Sequence, residues 1–130
     1  MSNIATIKVN DKREAIKYAY AFMKNKKLNL KECAFINPAA NNFDPKYIMP
    51  RDFFSAQYKN SVPTWEEFKS NPIHISALGF NCVACVDKQD QKRVNCTYDG
   101  SNIVFNCFGN YEEESKKAFT DIKELVLTLN

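Results

Sequence analysis

The segment from Gly79 to Gly109, GFNCVACVDKQDQKRVNCTYDGSNIVFNCFG, contains three short apolar runs separated by two polar turns. This pattern predicts an antiparallel three-stranded meander. Asp99-Gly100 marks the second turn. A type I′ hairpin turn needs positive φ at both central residues, which Gly tolerates freely and Asp better than most. Centring the turn there pairs Tyr98 with Ser101, Cys96 with Ile103 and Val94 with Phe105. A longer loop, extended by one residue at each end, shifts the partners but not the faces, because strand side chains alternate with period two. Val94, Cys96 and Tyr98 therefore share a face with Ile103, Phe105 and Cys107, and that face is expected in the core. The opposite face carries Arg93, Asn95, Thr97, Val104, Asn106 and Phe108. The first turn, Asp87 to Gln91, has no Gly. A symmetric loop there is expected to add Val83 and Cys85 to the core face and to leave Cys82 on the other.

Four of the 5 cysteines lie in this segment. Cys82-Val83-Ala84-Cys85 has zinc-type spacing, but structural zinc needs such a pair in a tight turn where both thiolates converge. In a strand, residues three apart point to opposite faces. A redox C-x-x-C needs the start of a helix. The expected reading is thus no metal and no cofactor, with the cysteines packed as small hydrophobes. His74 is the only histidine, which excludes multi-histidine metal sites. It leaves a cysteine-dependent enzyme, with Cys33 or Cys82 as nucleophile, as one alternative. No G-x-S-x-G elbow or Gly-rich phosphate loop accompanies it.

At 130 residues, with 45% hydrophobic and 25% charged residues, the composition is that of one globular domain. No run approaches the length of a membrane span, and MSNIATIKVNDKREA has no apolar signal core. A cytoplasmic location, without membrane association, is the expectation. An odd number of cysteines then argues for thiols rather than disulfides. The Lys- and Asn-rich composition suggests an AT-rich genome. Net charge is +3, unevenly spread: residues 1–60 hold 11 basic and 5 acidic residues, residues 61–130 hold 7 and 10.

Along the chain, Ile4–Val9 predicts a strand. Asp11 and Glu14 have capping-box spacing, with Asp11 expected to accept the Glu14 amide. The helix that follows, to about Lys27, has Ala15, Ile16, Ala19, Phe22 and Met23 on its buried stripe. Glu32–Ile36 predicts a second strand. Residues 37–50, with three prolines and three asparagines, are expected to form an irregular loop. Short helices are expected over Arg51–Lys59 and, capped by Thr64 and Glu67, to about Ser70. Ile73–Leu78 alternates like a strand. Asn110, with Glu113 reciprocal, is expected to cap a C-terminal helix whose stripe is Ala118, Phe119, Ile122, Leu125, Val126 and Leu129.

The expected fold is α+β: an antiparallel sheet centred on the meander, packed by an N-terminal and a C-terminal helix, with a short-helix insertion. Missing catalytic motifs favour a small protein-binding module, of the immunity type that inhibits a toxin or effector. Its expected contact residues are the basic stripe Arg13, Lys17, Tyr20, Lys24 and Lys27, together with Phe43 and Tyr47 of the 37–50 loop. That surface suits a partner acidic on its contact face. Nucleic acid is disfavoured, since no zinc finger, RNP-type sequence or Gly-rich clamp is present. A second alternative is an apolar-ligand pocket lined by Phe54, Tyr58 and Trp65.

Overall fold

A computed structural model describes residues 2–25, 30–37, 42–49, 64–70, 79–87 and 92–130, with 30–37, 42–49 and 85–87 described by their backbone alone. The elements are β1 (Ser2–Lys8), α1 (Lys12–Lys24), β2 (Leu30–Asn37), β3 (Asn42–Met49), α2 (Trp65–Lys69), β4 (Gly79–Asp87), β5 (Lys92–Tyr98), β6 (Asn102–Phe108) and α3 (Glu112–Thr128). The strands form one sheet in the order β1-β6-β5-β4-β2-β3. Every neighbouring pair is antiparallel. The class is α+β, with the meander β4-β5-β6 in the middle of the sheet.

The meander's inner face is the one that the alternation predicts. Val94, Cys96, Tyr98, Ile103, Phe105 and Cys107 are all buried. Phe105 is the pivot of this layer. Its ring lies 6.1 Å from Phe22 of α1, edge on, and 5.2 Å from Phe119 of α3. Burial of a side chain this large stabilises the fold by about 1.5–3 kcal/mol. The helices therefore cover one face of the sheet, α1 over β4 and β5, α3 over β6 and β1.

The register of the second turn differs from a two-residue hairpin. Tyr98 pairs with Ile103, Cys96 with Phe105 and Val94 with Cys107. The cause is Asp99, whose carboxylate accepts the Ser101 and Asn102 amides, both at 2.8 Å. These bonds hold a wider turn, with Gly100 at φ 98°. The parity is unchanged, so the faces are too. Across the first turn the expected parity fails. Cys82 lies directly opposite Cys96, and Phe80 and Ala84 opposite Tyr98 and Val94. Opposite residues in an antiparallel pair share a face, so Cys82 is in the core at 0% exposure, while Val83 is on the outer face.

The expected loop over residues 37–50 is corrected as well. Asn42–Met49 is strand β3, paired with β2. Pro45 is tolerated because it falls where the ladder is interrupted, in the last of the described strands. The ladder breaks around it: Ile36 faces Phe43, yet Ala34 faces Ile48, so several β3 residues bulge past one residue of β2.

Helix ends follow local chemistry. The Thr64 cap is the predicted capping box: Thr64 Oγ1 accepts the Glu67 amide, and Glu67 Oε1 accepts the Thr64 amide, each at 3.2 Å. Asp11 caps α1, but its carboxylate accepts the Arg13 amide at 2.8 Å rather than that of Glu14. Asn110 does not cap α3. Tyr111 occupies that position without a side-chain bond, because Gly109, at φ 79°, turns the chain and the Tyr111 amide donates back to its carbonyl at 2.9 Å. Three glutamates in the first turn supply the charge that the positive end of the helix favours. The α3 stripe is as expected, with Ala118, Ile122 and Val126 buried and Phe119, Leu125 and Leu129 packed against them. The expected elements at 51–59 and 73–78, His74 included, lie outside the described residues.

Candidate functional site

The basic stripe on α1 is the surface that the sequence singles out, and the fold divides it. Residues Tyr18 to Met23 are all buried. Six consecutive buried residues cover more than one helical turn, so this half of α1 is enclosed on every side. The sheet lies beneath it, and α3 and α2 pack against it. Tyr20 is the residue most affected. It sits in line with Arg13, Lys17 and Lys24, yet it is only 3% exposed. Its ring is 5.5 Å from Trp65 and 5.3 Å from Phe68. Tyr20 is therefore withdrawn from the expected contact residues, with the aromatic rings of α2 packed against it. Burial raises its phenol pKa, with the Glu67 carboxylate adding to the effect.

The cations remain accessible on either side of this cover. Arg13 and Lys24 are exposed, and Lys17 is half-buried. None of the three forms an ion pair among the described residues. Lys24 lies over the Tyr20 ring, Nζ 5.8 Å from its centroid, near the limit of a cation–π contact. Lys27 lies outside the described residues. Charge remains segregated in the helical layer. α1 carries four basic residues against one acidic, while the adjacent α3 carries three against five.

Phe43 and Tyr47 belong to the edge strand β3, not to a loop. Phe43 pairs with Ile36, and Tyr47 falls within the bulge. Of the three expected pocket residues, Phe54 and Tyr58 are outside the described residues. Trp65 is committed to the core at 7% exposure, stacked on Phe68, with its indole N–H donating to the Asn130 carbonyl at 3.0 Å. Lys69 Nζ donates to the same oxygen at 3.1 Å, so α2 is fastened to the end of α3.

The sheet's outer face carries a feature that the sequence reading did not isolate. Val83, Asn95, Asn106 and Asn3 lie opposite one another across four strands. Asn3 Nδ2 donates to Asn106 Oδ1 at 3.1 Å, and Thr97 Oγ1 to Asn81 Oδ1 at 3.3 Å. Asn95 Oδ1 is buried and accepts no hydrogen bond among the described residues. A second row of residues lies opposite one another across β2, β4 and β5. Cys33 lies opposite Cys82, and Cys82 opposite Cys96. Only the pairing of β2 with β4 brings the first two together, and no local signal in the sequence encodes that pairing.

Among the described residues no group of three or more His, Cys, Asp or Glu side chains is arranged to hold a metal. No described helix is long and apolar enough to cross a membrane. Comparisons with protein-family models, with curated proteins and with solved structures find no match for this chain.

Proposed function

We propose that this protein is a binding module that neutralises a toxin or effector protein by direct contact, through cations of α1 that flank α2. The observation that supports this reading is the state of Arg13, Lys17 and Lys24. They are accessible on one side of α1, and no carboxylate pairs with them among the described residues. Unpaired cations on a rigid, well-packed helix are preorganised for an acidic surface. They raise the rate of encounter more than they add to final affinity.

In this reading the contact surface is divided. It is two cationic points about 16 Å apart, set by the rise from Arg13 to Lys24, rather than a continuous stripe through Tyr20. A partner that fits it straddles α2 and presents carboxylates on both sides. Co-expression with the product of the adjacent gene, followed by affinity measurement at two salt concentrations, tests the reading. The double variant Lys17→Glu, Lys24→Glu should bind more weakly and with a shallower salt dependence. Unchanged affinity and unchanged salt dependence would remove this surface from consideration.

A further inference from the structure

The row of Cys33, Cys82 and Cys96 spans β2, β4 and β5, with Cys82 directly opposite both neighbours. Cys82 and Cys96 are thiols at 0% exposure. The backbone bonds determine how each pair approaches. The Val9 amide donates to the Ser101 carbonyl at 2.9 Å, and the Asp99 amide to the Asn102 carbonyl at 3.3 Å. Backbone groups alternate in direction along a strand, so Ile103 and Phe105 direct theirs towards β1, and Cys96 directs its own towards β4. The ladder has no register shift between Phe80 and Cys85 or between Glu32 and Ile36. Cys82 and Cys96 are then a hydrogen-bonded pair, and Cys33 and Cys82 a non-hydrogen-bonded pair.

The distinction has chemical consequences. Cα atoms are about 5.5 Å apart in the first kind of pair and about 4.5 Å in the second, where side chains approach more closely. Both distances lie within the window of about 4.4–6.8 Å that a disulfide spans, and the closer pair matches its short Cβ separation better. A sulfur can join only one disulfide, so Cys82 has two competing partners.

We propose that Cys33, Cys82 and Cys96 form an oxidisable row in which Cys82 closes a cross-strand disulfide with Cys33, and with Cys96 when Cys33 is removed. The oxidant class is a peroxide, small enough to reach the core through local opening. One thiol of the pair reduces hydrogen peroxide, becoming a sulfenic acid and releasing water. The opposite thiol attacks that sulfur, the S–O bond breaks, and a second water leaves as the S–S bond forms. Burial slows the first step. The fixed register makes the second step fast relative to further oxidation.

The test is to treat the folded, full-length chain with hydrogen peroxide without denaturant, and to map disulfides by mass spectrometry of unreduced peptides. The intact chain should lose the mass of two hydrogens, and the map should join Cys33 to Cys82. Cys33→Ala should move the link to Cys82–Cys96, and Cys82→Ala should leave the row unlinked and its thiols oxidised to oxygen acids. Over-oxidation without any internal link in the unmodified chain would overturn the proposal. So would a link through Cys85 or Cys107, or a link that appears only in denaturant. The map of the unmodified chain decides between these results even where a variant fails to fold.

Discussion

Replacing Ser115 with alanine should stabilise this protein. Ser115 is on the inner side of α3 at 0% exposure, and its hydroxyl has no hydrogen-bond partner among the described residues. Its amide is already satisfied by the Tyr111 carbonyl at 3.0 Å, so the side chain has no role in the helix start. Burying an unpaired hydroxyl costs about 1–3 kcal/mol. Alanine also has the higher helix propensity, by about 0.5 kcal/mol. Against these gains stands the void of a single oxygen, smaller than the methylene deletions that cost about 1 kcal/mol. The net expectation is a gain of about 1 kcal/mol, or about 4 °C in Tm for a chain of this size. Urea denaturation followed by circular dichroism measures it, with an unchanged m-value as the check that only stability has moved. Most substitutions at buried positions destabilise, so the sign is the informative outcome. A loss of stability for Ser115→Ala would mean that the hydroxyl is bonded, and that this part of the α3 interface is packed differently.

Three further outcomes follow from the fold. Thr64→Ala removes one half of the capping box and should cost about 1 kcal/mol, with Trp65 fluorescence reporting the change at α2. Asp99→Asn should destabilise the β5–β6 hairpin near neutral pH. The backbone amides of Asn102 and Ser101 hold the Asp99 pKa below its usual value, so its contribution is complete above about pH 4 and is lost as pH falls through the lowered pKa. Urea midpoints of the two proteins should therefore converge in strong acid, and a constant gap would contradict this. In alkali the sign reverses. Burial raises the phenol pKa of Tyr18, Tyr20, Tyr98 and Tyr111. The unfolded chain loses these protons first, so stability should fall as pH rises above about 10, together with late-titrating phenols in ultraviolet absorbance.

The sequence made the local parts of this structure legible. Alternation from Val94 to Cys107 revealed the inner face of the meander, helical spacing revealed the α3 stripe, and Thr64 with Glu67 revealed a cap. Each of these signals lies within one or two turns of chain. The larger misses depend on neighbours in the fold, whereas the Asn110 cap is lost locally, at the Gly109 turn. Pro45 looked like a loop residue because nothing local reveals that β3 is an edge strand. Tyr20 matched the basic stripe because helical spacing cannot show that Trp65, 45 positions along the sequence, covers that face. A symmetric first turn puts Cys82 outside, and its pairing with Cys96 puts it in the core. Of the expected stripe, Arg13 and Lys24 are exposed and Lys17 is half-buried, while Tyr20 is buried.

The C-terminal half of α1 is interior: Tyr18 to Met23 are buried, with the sheet, α3 and α2 packed against the helix. Native-state amide hydrogen exchange tests this directly, because fully enclosed backbone opens only with the whole domain. The amides of Ala21, Phe22 and Met23 should exchange with the same opening free energy as those of Val94 and Cys96 in β5. Exchange of these helix amides at a far lower free energy than the strand would contradict the enclosure and return Tyr20 to the accessible stripe.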